Sequence, residues 1–214
     1  MAISNNSNSR AAMLNTIEAA LKAKTAKPFI HKSNANPSVV PLATIPLLQQ
    51  FTINFTKLLG NVIHSQSQAQ TVKNLQTICI ANNYTKIFCA ETTIINLCHA
   101  NGWQLPLHNN LATCHVSITT CECLVARTGS LMLSSALPQG RTASVYAPVH
   151  ICVAKEAHLV YDIEDAWQKI HLKYGKNLPS SISLATGPSR TADIEKTLVV
   201  GVHGPKEVFC FIEA

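Results

Sequence analysis

The chain has 214 residues, 47% of them apolar and 13% charged, which allows one domain with a sizeable core and excludes a globally disordered chain. Its net charge of +6 comes from scattered lysines and arginines with no basic block, which argues against a nucleic-acid partner. No stretch approaches the roughly 20 apolar residues of a membrane span, and nothing at the polar start resembles a secretory signal, so a cytoplasmic location is expected.

In chain order, residues 1–8 are polar and expected to be disordered. Ser9 can cap a helix running to about residue 24, with Met13, Ile17 and Leu21 on one face. Pro28, Pro37 and Pro41 mark residues 25–43 as a linker, so 1–43 reads as a helical arm and 44–214 as the domain. Thr44 and Pro46 begin a helix that carries Phe51 and Phe55 and ends at Gly60. The run "NVIH" is a short strand, and Ser67 opens a helix with Val72, Leu75, Ile78 and Cys79. "KIFCA" is a strand and "ETTIINLCHANG" a helix closed by Gly102. "CHVSIT" is a buried strand, and "CLVARTGSLMLSS" is two strands around Thr128-Gly129. "VHICVA" is a strand, Asp162 caps a helix that ends at Gly175, and "SISLAT" and "EVFCFIE" are the last strands. This order predicts an α/β fold with a mainly parallel sheet.

Charge is uneven along the chain. Residues 1–90 hold eight Lys/Arg against one acid, Glu18, whereas 91–214 hold nine against ten. The basic front half suits a docking face for an acidic partner, or simply a solvated surface. None of the eight cysteines forms a C-x-x-C pair, and most sit inside apolar runs. They read as small apolar packing residues, and no metal site is expected.

The stretch 184–205, "LATGPSRTADIEKTLVVGVHGP", gathers the chemistry. It follows a strand, where loops of α/β sheets bind ligands. Gly187 permits a sharp turn and Pro188 stiffens it. Ser189 and Thr191 offer hydroxyls, and Arg190 offers a fork suited to a carboxylate or phosphate. A helix starting within 192–200 would add its amides. The same residues also suit a rigid loop in which Arg190 pairs with Asp193 or Glu195. Arg127 and Arg141 follow apolar strands nearby in sequence, with Gln139-Gly140 as a flexible approach. His150 opens a strand, and His203, held between glycines, is a candidate acid/base. No nucleophile elbow, phosphate loop or dinucleotide fingerprint occurs.

The run from Gly187 to Pro205, G-P-S-R-T-A-D-I-E followed by a short apolar segment and G-V-H-G-P, closely resembles the lactate-utilisation protein C family, the stand-alone form of the LUD domain. Thr119, Glu122, Thr128, Gly129, Ser130 and Leu131 match a second family segment, in which Arg127 replaces an acid. "LPQGR" and "PVHI" match as well. The resemblance implies a three-layer α/β/α fold similar to sugar-phosphate isomerases and CoA transferases. It implies a role in oxidising L-lactate to pyruvate beside two partner subunits that carry iron–sulfur clusters, with no cofactor held by this chain.

The expected site therefore has His203 and Glu122 as candidate catalytic groups. Thr128, Gly129, Gln139, Gly140, Arg141, His150, Gly187, Pro188, Ser189, Arg190, Thr191 and Gly204 would bind a small carboxylate or phosphate-containing ligand. An independent isomerase- or acyl-CoA-transferase-like enzyme, and a purely structural docking subunit, are the alternatives.

Overall fold

The computed structural model describes residues 6–22, 41, 43–191 and 198–214. The chain divides into two compact units, Met1–Pro41 and Leu42–Ala214. In the first, helix α1 spans Asn6–Lys22 and carries an i,i+4 pair, Glu18–Lys22, at 2.7 Å. It starts before Ser9, which lies inside it. The expected linker, 25–43, falls almost wholly outside the described residues.

The second unit begins with α2 (Leu47–Lys57), whose cap position is Pro46 rather than Thr44. Then come β1 (Asn61–Ser65), α3 (Gln68–Ala81), β2 (Ile87–Cys89) and α4 (Thr92–Ala100). Ser67 caps α3 as its sequence position suggests, its hydroxyl accepting from the Gln70 amide. Next are β3 (Val116–Thr119), β4 (Cys123–Val125), β5 (Ser130–Ser134), the short α5 (Ala143–Tyr146) and β6 (Val149–Lys155). The chain closes with β7 (Leu159–Val160), α6 (Ile163–Tyr174), β8 (Ile182–Ala185), β9 (Arg190–Thr191), β10 (Val199–Val200) and β11 (Glu207–Glu213).

Five of these strands form a parallel central sheet in the order β1-β11-β6-β3-β2. Its middle strands are largely buried on both faces, as sheets covered on both sides require. Along β6, Val149, Ile151 and Val153 meet Val72 and Leu75 of α3 and Ile94 and Cys98 of α4. The alternate residues Cys152 and Ala154 pack with Phe51, Phe55, Leu124, Leu131 and Leu133. Phe51 and Phe55 are stacked at 5.3 Å and fully buried, each worth about 2–3 kcal/mol by transfer from water.

The mainly parallel α/β sheet is thus present, but the layer on its second face differs from the expected helices. A four-stranded sheet, β7-β4-β5-β8, stands there with α2, and α6 covers that sheet from outside through Ala166 and Ile170. The β4–β5 hairpin lies between two apolar layers, which is why all its strand residues are buried. Seven cysteines are buried and Cys89 is half-buried, all as free thiols. No described helix is long and apolar enough to cross a membrane.

Candidate functional site

The small sheet, not the parallel one, delivers the glycine-rich loop. Strand β8 runs antiparallel to β5, with Ser183 opposite Leu133. The chain then turns at Gly187, whose φ is +81°, and a Cβ there would stand 2.3 Å from the Leu58 carbonyl oxygen at the end of α2. Only glycine accepts both conditions. Ser189 donates its amide to the Pro205 carbonyl at 2.9 Å, and Gly201 donates to the Ser189 carbonyl at 2.8 Å. These bonds join the 187–191 loop to the 201–205 loop. Arg190 and Thr191 then pair with Val200 and Val199 as a two-stranded ribbon. The helix expected to start within 192–200 is therefore absent at 199–200, where strand pairing takes the amides instead; 192–197, with Asp193 and Glu195, lie outside the described residues.

The joined loops face the start of β6. Together with α5 they enclose a cavity of about 230 Å³, lined by Gly187, Ser189, His203, Gly204, Pro205, His150, Val208, Ser144, Val145, Leu133 and β8 residues Ser183, Leu184 and Ala185. None of these residues is acidic. His150 forms its floor and is 1% exposed. Its Nε2 lies 2.8 Å from Thr119 Oγ1, and its buried Nδ1 has no partner among the described residues. Burial pushes its pKa down to about 4, so the ring is neutral at pH 7. Which ring nitrogen carries the proton follows from whether Thr119 donates to Nε2 or accepts from it.

The other expected residues are placed as follows. Pro188 is buried in the loop without lining the cavity. Thr128 accepts from Ser130, whose Oγ also lies 2.8 Å from Thr186 Oγ1. Gly129 (φ +62°) packs on α2, with its missing Cβ only 2.5 Å from the Phe55 nitrogen. Gln139 is buried and donates to the Thr120 carbonyl at 3.3 Å, and Gly140 forms a turn at φ +63°. Arg141 is exposed and donates to Ser180 at 2.6 Å. Neither Arg141 nor Arg190 lines the cavity, so the guanidinium clamp suggested by sequence is not assembled there. Arg141 stands on an exposed turn and Arg190 is exposed on strand β9.

Glu122 stands apart from His203. Its carboxylate accepts from Ser134 at 2.6 Å, Tyr174 at 2.6 Å and Lys173 at 2.8 Å. Burial pushes its pKa up, but Lys173, Ser134 and Tyr174 outweigh burial and hold it below the usual carboxylate range. A carboxylate so bound is a lock between β5 and α6, not a free base. Arg127, where the resembled family has an acid, pairs with Asp162 at 2.7 Å.

Sequence reading missed Ser144 and Ser183. Ser144 lies six residues before His150 and gives no motif; α5 alone brings it over β6. No group of three metal-ligating side chains occurs among the described residues.

Comparison with known proteins places this geometry. Residues 99–212 match the LUD domain family. A lactate utilization protein C of Halalkalibacterium halodurans is 37% identical over 99 residues, covering 45% of this chain and 43% of that protein. Its counterpart in Geobacillus is 39% identical over 93 residues, covering 42% and 39%. An uncharacterized protein of Neisseria meningitidis is 33% identical over 106 residues, covering 50% and 44%. The matched segment thus spans less than half the length of these relatives. A crystal structure of a DUF162 family protein from Deinococcus radiodurans superposes with a TM-score of 0.59 at 19% identity, over 81% of this chain and all of that one, and shares the fold. The matched residues carry the parallel core strands β3, β6 and β11 and every lining residue of the cavity: the chain belongs to the LUD domain family.

Proposed function

We infer that the protein serves in lactate utilisation, as a cytoplasmic accessory subunit of a system that oxidises L-lactate to pyruvate beside iron–sulfur subunits. The support is the similarity to proteins named lactate utilization protein C, together with a cavity that suits a small carboxylate. The observation that carries the ligand reading is the neutral, buried His150, with Nδ1 unpartnered at the cavity floor. An unmet buried polar group costs about 1–3 kcal/mol, and with the proton on Nδ1 a bound carboxylate removes that cost.

In this arrangement His150 Nδ1 and the hydroxyls of Ser189 and Ser144 bind one carboxylate end. The exposed His203 lines the cavity beside them. The lining has no acid, so the cavity repels no carboxylate and offers no carboxylate nucleophile. Titration calorimetry of L-lactate, pyruvate and inorganic phosphate into wild type, His150→Gln and Ser189→Ala tests this. Binding of L-lactate or pyruvate that weakens about tenfold in each variant is expected. Equal heats in all three proteins, or none in wild type, would remove the ligand from this cavity.

A further inference from the structure

A second cavity, of about 300 Å³, opens at the opposite edge of the parallel sheet. Strands β3, β6 and β11 all end there, and loops leaving the carboxyl ends of parallel strands are where α/β sheets hold ligands. Sequence motifs pointed elsewhere, so nothing above uses this place.

Its polar groups are unmatched. Glu213, the last residue of β11, lines the cavity and is only 8% exposed. No donor or cation among the described residues reaches its carboxylate. Its register neighbour on β6 is Lys155, which also lines the cavity, yet the two form no ion pair. Thr120, also in the lining, donates to Oε1 of Glu91, the cap residue of α4, at 3.0 Å. Two helices begin at the same edge: α3, of 14 residues, through Gln68, and α4, of nine, through Thr93. No side chain caps α4. The first-turn amides of a helix have no intrahelical acceptor and present positive potential. Between these ends lies an aliphatic wall of Ile94, Leu97 and Val153.

The cavity thus offers an unmet acceptor, Glu213, beside a cation, Lys155, and the uncapped start of α4. We propose that the carboxyl edge of the parallel sheet is a binding site for a small hydroxylated anion. Its hydroxyl donates to Glu213, its carbon skeleton lies on Ile94, Leu97 and Val153, and its negative group meets Lys155 and the start of α4. The anionic group is a carboxylate or a phosphate ester, since both are recognised by the same donors. A plain cation would suit Glu213 but would face Lys155 and the N-terminus of α4. This site is separate from the His150 cavity and does not depend on its occupant.

The test is calorimetry on the full chain carrying His203→Ala and Ser189→Ala, so that heat from the His150 cavity is suppressed. Glycerol 3-phosphate is compared with propyl phosphate, and L-lactate with propionate. The expected result is that at least one hydroxylated probe binds about tenfold more tightly than its deoxy partner. Glu213→Ala should erase that preference while leaving affinity for the deoxy probe unchanged, which also reports an intact fold. Lys155→Ala should weaken both members of the pair. Binding by the phosphate pair alone or by the carboxylate pair alone identifies the anionic group. No binding, equal affinity for hydroxylated and deoxy probes, or preferential binding of propylamine would each overturn the proposal.

Discussion

His150 shows how one residue ties a cavity to stability. In the unfolded chain its imidazole takes up a proton near its ordinary pKa of 6.5, whereas in the folded protein burial delays this to about 4. The unfolded state therefore binds more protons between those values, and stability falls as the solution is acidified through that window. The full effect is about 3 kcal/mol, complete above pH 6.5 and gone below about 4. His158 is shifted the same way, by burial and by Lys169, Lys155 and Lys173, so the difference between proteins is the clean observable. Urea unfolding of wild type and His150→Gln at pH 7, 5.5 and 4 is expected to show the gap between them narrowing as pH falls. A gap constant with pH would contradict a buried neutral ring.

Glu122 behaves oppositely at the same scale. Its folded pKa lies below the ordinary 4.5, so its contribution is present above that value and lost as pH falls through the lower folded one. Its side chain is 3% exposed, against 54% for Lys173. Glu122→Ala strands two hydroxyl donors and should cost about 2–3 kcal/mol. Lys173→Ala leaves the carboxylate two donors and should cost less, about 1 kcal/mol. Thermal melts of the two variants decide the order. Equal shifts would mean that the hydroxyls of Ser134 and Tyr174 contribute little.

At the scale of elements, caps and close contacts set the architecture. Asp162 both caps α6, accepting from the Ile163 amide at 2.6 Å, and holds Arg127 on the β4–β5 turn. Asp162→Ala should cost about 1–2 kcal/mol, and Asp162→Asn should restore the capping share alone. Gly129 makes a sharper case. Alanine there meets a positive φ and the backbone of α2 at 2.5 Å, whereas alanine at Gly140 meets positive φ with open space around it. Gly129→Ala is expected to cost about 3 kcal/mol or more, and Gly140→Ala about 1 kcal/mol. Similar denaturation midpoints for the two would refute the tight seat of the hairpin on α2.

At the scale of the whole molecule, none of the described residues of α1 belongs to the three apolar clusters, all of which lie within 43–214. Met13, Leu14, Ile17 and Leu21 of α1 are exposed. A chain that starts at residue 42 should therefore unfold within about 2 °C of the full chain, a shift that corresponds to about 0.5–1 kcal/mol. A drop of 5 °C or more in differential scanning calorimetry would show that the first unit stabilises the second.

Much of this was legible in the residues. Ser67, Asp162 and Gly175 mark helix ends by local hydrogen bonding and local backbone freedom, and the apolar runs mark the strands. The stretch from Gly187 to Pro205 carries the family likeness because two loops bonded to one another restrict most of their positions. What sequence left open is pairing. Residues of β8 look like any buried strand, yet they join the small antiparallel sheet, because hydrogen-bond partners come from far along the chain. The same applies to the candidate sites. Gly187, Ser189, His203 and Gly204 meet His150 as their neighbouring motifs hinted, while Arg141 and Arg190 end on outer surfaces and Glu122 is locked by α6. Glu213 and Lys155 carry no motif at all and become neighbours only through the register of β11 on β6. Local composition determined which elements form and where they stop; the burial of both sheet faces decided which side chains share a cavity, because that burial is satisfied only once distant strands are aligned.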